Sequence, residues 1–317
     1  MYNVAIIGAG QLGSRHLQGL KKSGSPLSIT VVDNSVDSLK TACERYEEVS
    51  AVGEKKVEFS QDINQLPLEL DLVIVASGSK PRAAIVKSLL NHSKVRNMVL
   101  EKVLFPKLSD YDEIGDLIAE KNVRTWVNCP RRMFGNYQQI SHLIDVNKPI
   151  KMLYAAENWG ICCNGIHIID IFMYLTGEKD YCIDTSKLNN QLEESKRKGY
   201  IEMTGRLTLT TPKGNVLTLI SEDNYKGEKG EYIDNQDLRI IVNEVNGTWI
   251  TGGKENSYKM PFQSQLTGLL ADCILISGCC PLTTYNLSAR YHKPFIKALL
   301  AVYNRVINDN VDLLPIT

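Results

Sequence analysis

The sequence has no excess of either charge. Lysine plus arginine and aspartate plus glutamate stand at 36 each over 317 residues, so nothing in the composition asks for nucleic acid or an anionic membrane as partner. Long apolar runs are also missing. No segment approaches the roughly 20 residues needed to span a bilayer, and the opening MYNVAIIGAG has no basic stretch before its apolar run, which argues against a signal peptide. The eight cysteines include two adjacent pairs but no C-x-x-C with a matching partner, a poor pattern for zinc or for a disulfide framework. With no export signal they read as reduced thiols of a cytoplasmic protein, most of them small buried hydrophobes. No internal repeat or low-complexity tract is present.

Apolar residues make up 43% and charged residues 23%, the proportions of a globular protein, and the length suits two domains. From residue 1 to about 127, the short apolar runs VAIIGAG, SITVVD, KVEFS, DLVIVAS, NMVLEKV and RTWVN alternate with amphipathic stretches. That rhythm predicts an α/β domain on a doubly wound parallel sheet, with ligands bound beyond the carboxyl ends of its strands.

The pattern changes in residues 128–317. KMLYAAENWG reads as a strand and CCNGIHIIDIFMYLTG as a helix stopped by Gly177. RLTLTT-PKGN-VLTLIS and LRIIVNEV-NG-TWIT then read as hairpins. This half is expected to be α+β with an open, mainly antiparallel sheet. Residues 186–200 are polar and read as a solvated excursion, and a closing helix is expected over about 287–308.

The sharpest motif is Gly8-x-Gly10-x-x-Gly13, placed after an apolar strand and before a helix starting near Gln11 and Leu12. Gly8 permits the tight turn, Gly10 leaves room for a pyrophosphate, and Gly13 lets the helix pack closely on the strand. The phosphates then meet free amides at the helix N-terminus. SITVVD ends at Asp33, whose carboxylate suits the two adenine-ribose hydroxyls and repels a 2'-phosphate. The pattern therefore points to NAD, with NADP less favoured; Arg15 is the basic residue in the first helix that would suit a phosphate.

With GAGQLGSRH at 8–16, VAS at 75–77, EKV at 101–103, RRMFGNY at 131–137, GIHIID at 165–170 and the late RYHKPFIKAL, the chain resembles the glucose-fructose oxidoreductase, inositol dehydrogenase and rhizopine-catabolism (Gfo/Idh/MocA) family over essentially its whole length. The resemblance implies a Rossmann domain followed by an α/β domain whose open sheet often forms the oligomer interface, hence a homodimer or homotetramer. It also implies oxidation or reduction of sugars, inositols or sugar nucleotides.

Ser77 and Glu101 are then expected at the cofactor. Lys102, at the end of the fifth strand of the parallel sheet, would lie beside the nicotinamide and exchange a proton with the reacting hydroxyl; by itself it is an ordinary strand-end lysine. Val103 stands where relatives carry a proline that usually follows a cis bond. Cys163, His167, Asp170 and Tyr174 fall on one helical stripe, by itself more often a hydrogen-bonded structural arrangement than a site. Gly165, His167 and Asp170 match the family's D-x-G-x-H-x-x-D, with Cys163 in the first acidic place. His167 is the implied general acid/base or a ligand to the substrate hydroxyl, and Asp170 an orienting partner or a structural carboxylate. Cys163 and Asn164 are further substrate-facing candidates, Asn164 about 100° off the stripe.

Arg131, Arg132 and Lys151 are candidates for a substrate phosphate or carboxylate, or else solvated or domain-bridging charges. Asn158 and Trp159 are candidate walls of a sugar pocket, although Trp159 equally suits the core. His292 sits at a late family histidine and reads as structural. The expected activity is NAD(H)-dependent hydride transfer to or from a sugar-like carbinol carbon, with a nucleotide-linked or acidic sugar as the candidate substrate. The alternatives are a catalytically silent NAD-binding module and an imine- or enone-type reductase.

Overall fold

A computed structural model describes the whole chain, Met1–Thr317. It divides into two compact units that are not contiguous in sequence: residues 1–105, 109–128 and 261–285 form the first, and residues 106–108, 129–260 and 286–317 the second.

The first unit begins with β1 (Tyr2–Ile7), α1 (Gln11–Lys21), β2 (Leu27–Val32), α2 (Val36–Glu47) and β3 (Lys55–Ser60). It continues through β4 (Glu69–Leu70), β5 (Leu72–Val75), α3 (Ser79–His92), β6 (Lys94–Val95), β7 (Asn97–Glu101), α4 (Ser109–Glu120) and β8 (Arg124–Asn128). All six predicted strands are present. Their order is β8-β7-β5-β1-β2-β3, every pair parallel. Val4, Ile6, Leu72, Val73, Val99 and Leu100 are almost completely buried, because a sheet covered on both faces needs apolar side chains on both. Each such side chain contributes roughly 1.5–3 kcal/mol on burial. The strand order reverses at β1 and β5, and the crevice of a doubly wound sheet opens at that reversal.

The second unit contains α5 (Gly135–Leu143), β9 (Lys151–Ala156), α6 (Ile161–Thr176), β10 (Cys182–Glu194), β11 (Ile201–Thr210), β12 (Val216–Ser221), β13 (Gly230–Asn235), β14 (Leu238–Asn243), β15 (Thr248–Thr251) and β16 (Lys254–Ser257). The strands form one eight-stranded sheet, β10-β11-β12-β9-β13-β14-β15-β16, antiparallel except where β12 meets β9. Both expected hairpins are formed, β11–β12 and β14–β15.

Two expectations need correction. Residues 186–194, read as part of a solvated excursion, complete the edge strand β10, whose register on β11 shifts twice and whose side chains are mostly exposed. An edge strand of this kind has no apolar alternation to betray it. The second correction concerns the domain boundary. Helix α7 (Gln263–Ser277) packs on α1, and β17 (Thr283–Thr284) adds an antiparallel edge to β8, so residues 261–285 return to the first unit. Chain order alone assigns them to the second. The final helix, α8 (Tyr285–Ile307), matches the expected closing helix and carries Pro294 within it.

No disulfide is formed, and only Cys129 and Cys162 are buried, fewer than expected. No helix is long and apolar enough to cross a membrane.

Candidate active site

In the first unit the carboxyl ends of β3, β2, β1, β5 and β7 stand side by side. They present in turn Gln61 and Asp62, Asp33, Gly8, Ser77 and Lys102. A cleft of about 590 Å³ opens there, lined by Gly8, Gly10, Asp33, Asp62, Ser77 and Ile85 among others.

The loop after β1 has the shape that a dinucleotide requires. Gly8 has φ +98°, and a Cβ there would meet the Ser77 amide nitrogen at 2.7 Å. A Cβ on Gly13 would come within 1.7 Å of the Gly8 carbonyl oxygen, so Gly13 lies behind the loop and lets α1 seat against it. Gly10 caps α1 and has open space where its Cβ would project. The first amides of α1 therefore face a region that a side chain would otherwise fill, which fits a pyrophosphate. The Ser77 hydroxyl, which has no protein partner, also belongs to this cleft. Asp33 Oδ2 accepts from the Ala9 amide at 2.6 Å and Oδ1 from the Ser35 amide at 2.8 Å. Both oxygens keep a lone pair for ribose hydroxyls. Gln11, Leu12, Glu101 and Lys102 do not line the cleft.

Lys102 is half-buried, one residue past β7, and the Lys102–Val103 peptide is cis. The segment after it is fixed by Arg82, fully buried on α3, whose guanidinium donates to the carbonyls of Ser77, Val103 and Leu104. One side chain thus ties the loop after β5 to the loop after β7. Arg15, the candidate phosphate ligand, bonds Gln18 instead, and Arg45 bonds Ser14 and Gln11.

Glu101 is a correction. Expected at the cofactor, it is 3% exposed and turned into a closed polar ring. Its Oε1 meets His16 Nε2 at 2.9 Å and accepts from Asn128 Nδ2 at 2.5 Å. Asn128 also donates to Gln263 Oε1, Gln263 donates to Thr267 Oγ1, and Thr267 Oγ1 meets His16 Nδ1 at 2.9 Å. Burial pushes the Glu101 carboxyl up, but the hydrogen bond and charge of His16, the amide of Asn128 and the charge of Arg82 outweigh it and hold it below its ordinary value. His16, Asn128, Gln263 and Thr267 were not singled out from the sequence. The available signals were a histidine three residues past Gly13 and a Gln-x-x-x-Thr pair on one helix face.

In the second unit α6 is buried almost all round, as its apolar content predicts. Its half-buried residues are Cys163, Asn164, His167 and Tyr174. His167 therefore lies on the one face of α6 that reaches solvent. Asp170 is 1% exposed, and its carboxylate is gripped by Arg132, Nε to Oδ2 at 2.7 Å and Nη2 to Oδ1 at 3.2 Å. The Arg132 guanidinium also lies 5.1 Å from the Tyr174 ring centre. Asp170 is thus a buried carboxylate held by Arg132.

Arg131 forms a two-pronged pair with Glu244, 2.8 Å on each prong. Neither arginine is open to an anion, which corrects their reading as substrate ligands: each guanidinium is held by a carboxylate of this chain. Lys151 is exposed on β9. Tyr137 donates to Glu231 Oε2 at 2.6 Å beside the Arg131–Glu244 pair. Burial, then the Glu244 charge, pushes the Glu231 carboxyl up to about 8.

Glu202 of β11 was also missed. Its carboxylate accepts from the Cys162 and Cys163 amides at 2.8 and 3.2 Å, occupying the N-terminus of α6. Asn164 Nδ2 bonds the Trp159 carbonyl, Trp159 Nε1 bonds the Ile220 carbonyl, and the Trp159 ring lies 4.7 Å from that of Tyr154. Asn158 is exposed and donates to Asp223 at 2.5 Å. His292 is fully buried, and its Nδ1 meets the Ser288 carbonyl at 2.9 Å.

Sequence comparison with curated proteins finds no match. Among solved structures, the chain is similar to an oxidoreductase from Agrobacterium radiobacter in complex with NAD+, L-tartaric acid and magnesium, at TM-score 0.71 and 15% identity, covering 98% of each chain. It is similar to biliverdin reductase from Synechocystis in complex with biliverdin and NADP+, at TM-score 0.69 and 15% identity, covering 95% of this chain and 98% of that one. It is also similar to UDP-N-acetylglucosamine 3-dehydrogenase from Acidithiobacillus ferrooxidans, at TM-score 0.67 and 14% identity, covering 95% and 96%. At these identities the likeness is one of fold. Residues 2–129, with the glycine cradle and Asp33, match the model of the Gfo/Idh/MocA oxidoreductase family, described by its NAD-binding Rossmann fold.

Proposed function

We propose that the protein is an NAD(H)-dependent oxidoreductase acting on a carbinol or keto carbon of a sugar or sugar derivative. The observation that carries this reading is the sequence of groups along the carboxyl edge of one sheet. The ribose-binding carboxylate of Asp33 stands on one side of the Gly8 cradle, and Ser77 and then Lys102 stand on the other. When bound, the nicotinamide supplies the acceptor or donor of the hydride. Gly8, Gly10 and the first amides of α1 hold the pyrophosphate, and Asp33 holds the adenine ribose.

Lys102 passes the hydroxyl proton out as the hydride leaves the carbon and returns it in reduction. His167, on the half-open face of α6, is the second proton-handling group or a ligand to a neighbouring hydroxyl. Cys163 occupies the first acidic place of the motif, and the assignment rests on Lys102 and His167. The sugar reading draws support from the family and from the UDP-N-acetylglucosamine dehydrogenase of like fold. With both arginines paired, Arg131 and Arg132 no longer argue for an acidic or phosphorylated substrate.

The test is calorimetric titration with NADH and NADPH, followed by a turnover screen against sugars, nucleotide sugars and conjugated or imine acceptors. Lys102→Ala should lower turnover by about 10²–10⁴-fold while leaving NADH affinity within a few-fold. NADH binding without turnover on any hydroxyl or keto substrate would favour a silent module, and turnover only on conjugated or imine acceptors would favour that reductase class.

A further inference from the structure

We propose that Asp62 is a second specificity-determining carboxylate, acting with Asp33 to keep the 2'-phosphate of NADP out of the adenosine end of the cleft. The inference rests on reading that cleft as an NAD site and adds a residue that the glycine motif does not contain.

The β2–β3 register pairs Val32 with Ser60, and the Asp33 amide bonds the Ser60 carbonyl at 3.2 Å. Neighbouring strands lie about 4.8 Å apart, so the loop carrying Gln61 and Asp62 leaves the sheet beside Asp33. Gln61 Nε2 donates to the Asn34 carbonyl at 3.0 Å and ties the two loops together. Asp33, Asn34, Gln61 and Asp62 all line the cleft.

Both carboxylates are fixed by local hydrogen bonds. Those of Asp33 come from the Ala9 and Ser35 amides. Asp62 Oδ1 accepts from the Asn64 amide at 2.9 Å and from Asn64 Nδ2 at 2.8 Å, and the Asp62 amide bonds Ser60 Oγ at 3.0 Å. The cleft lining contains no lysine or arginine. A ribose diol entering there finds acceptors, whereas a phosphate dianion finds two anchored negative charges and no cation. Asp62 is exposed and Asp33 half-buried, so salt screens the contribution of Asp62 more strongly.

The experiment is calorimetric titration of wild type, Asp33→Asn, Asp62→Asn and the double variant with NADH and with NADPH, at low salt and near 1 M salt. Asparagine keeps an acceptor oxygen for the loop amides, and Asp62→Ser is a second variant that also preserves the turn. The expected result is a fall of about tenfold in the ratio of NADPH to NADH dissociation constants for each single variant, and about a hundredfold for the double. The Asp62 share should shrink to about two- or threefold near 1 M salt. If Asp62→Asn and Asp62→Ser leave the low-salt ratio within twofold of wild type while Asp33→Asn lowers it, the inference is wrong and the NAD reading stands. Wild type binding neither nucleotide would overturn the NAD reading itself, and the inference with it.

Discussion

His16 and Glu101, 85 residues apart in sequence, meet at 2.9 Å in the interior of the first unit. That contact puts the residue before Lys102 into a framework of side chains rather than into the cofactor cleft. The consequence is measurable as a pH dependence. The native Glu101 carboxyl is held below its ordinary value, so it contributes stability above the unfolded carboxylate value of about 4.3. That stability is lost as pH falls through the lower native value. Glu101→Gln should destabilise the protein by about 1–3 kcal/mol at pH 7, with the gap closing on acidification. Urea unfolding across pH would show it, and a gap constant from pH 7 to 3 would contradict the charged ring.

The contact between Gly13 and the Gly8 carbonyl leaves no room for a methyl group. Gly13→Ala should cost about 1–3 kcal/mol and weaken NADH binding by at least tenfold, because the displaced α1 carries the phosphate-facing amides. Thermal unfolding and NADH fluorescence titration would measure the two effects. Full NADH affinity in a folded Gly13→Ala protein would count against the cradle.

Arg132 and Asp170 form a buried pair, and removing one charge strands the other. Asp170→Asn should therefore destabilise by about 3–5 kcal/mol, whereas Arg132→Met with Asp170→Leu should recover much of the loss. Denaturant midpoints of the two variants would decide it. Equal destabilisation in the single and double variants would mean that the partners are not coupled.

Glu231 gives the opposite sign to Glu101. Its native value is raised to about 8, so the folded protein keeps a proton that the unfolded chain releases near pH 4.3. Stability should fall as pH rises between those values and level off above about 8. Glu231→Gln should remove that slope and gain on wild type by a few kcal/mol or less at pH 8. Chemical denaturation at pH 5 and pH 8 is the check, and parallel curves at both values would refute the buried proton.

The parts of the fold legible in sequence are those governed by local rules. Strands buried on both faces are unbroken apolar runs, and Gly8, Gly10 and Gly13 report backbone shapes that only glycine allows. The stripe Cys163, His167, Asp170 and Tyr174 follows from helical spacing. Partnership between distant side chains has no such signature. Arg131 and Arg132 look like free cations until Glu244 and Asp170 are seen beside them. His16 is a lone histidine on a helix until Glu101 and Thr267 flank it. Nothing in Gln263–Ser277 says which unit the helix will join, because an apolar face suits either core.

The return of α7 also bears on the order in which the chain acquires its structure. His16 and Thr267 close their contact across 251 positions, and closing so long a loop sacrifices chain entropy before any contact compensates it. A ribosome that has released residues 1–128 has exposed every parallel strand of the first unit, but not the helix that covers α1 or the antiparallel edge beside β8. The first unit is thus completed only after most of the second has emerged.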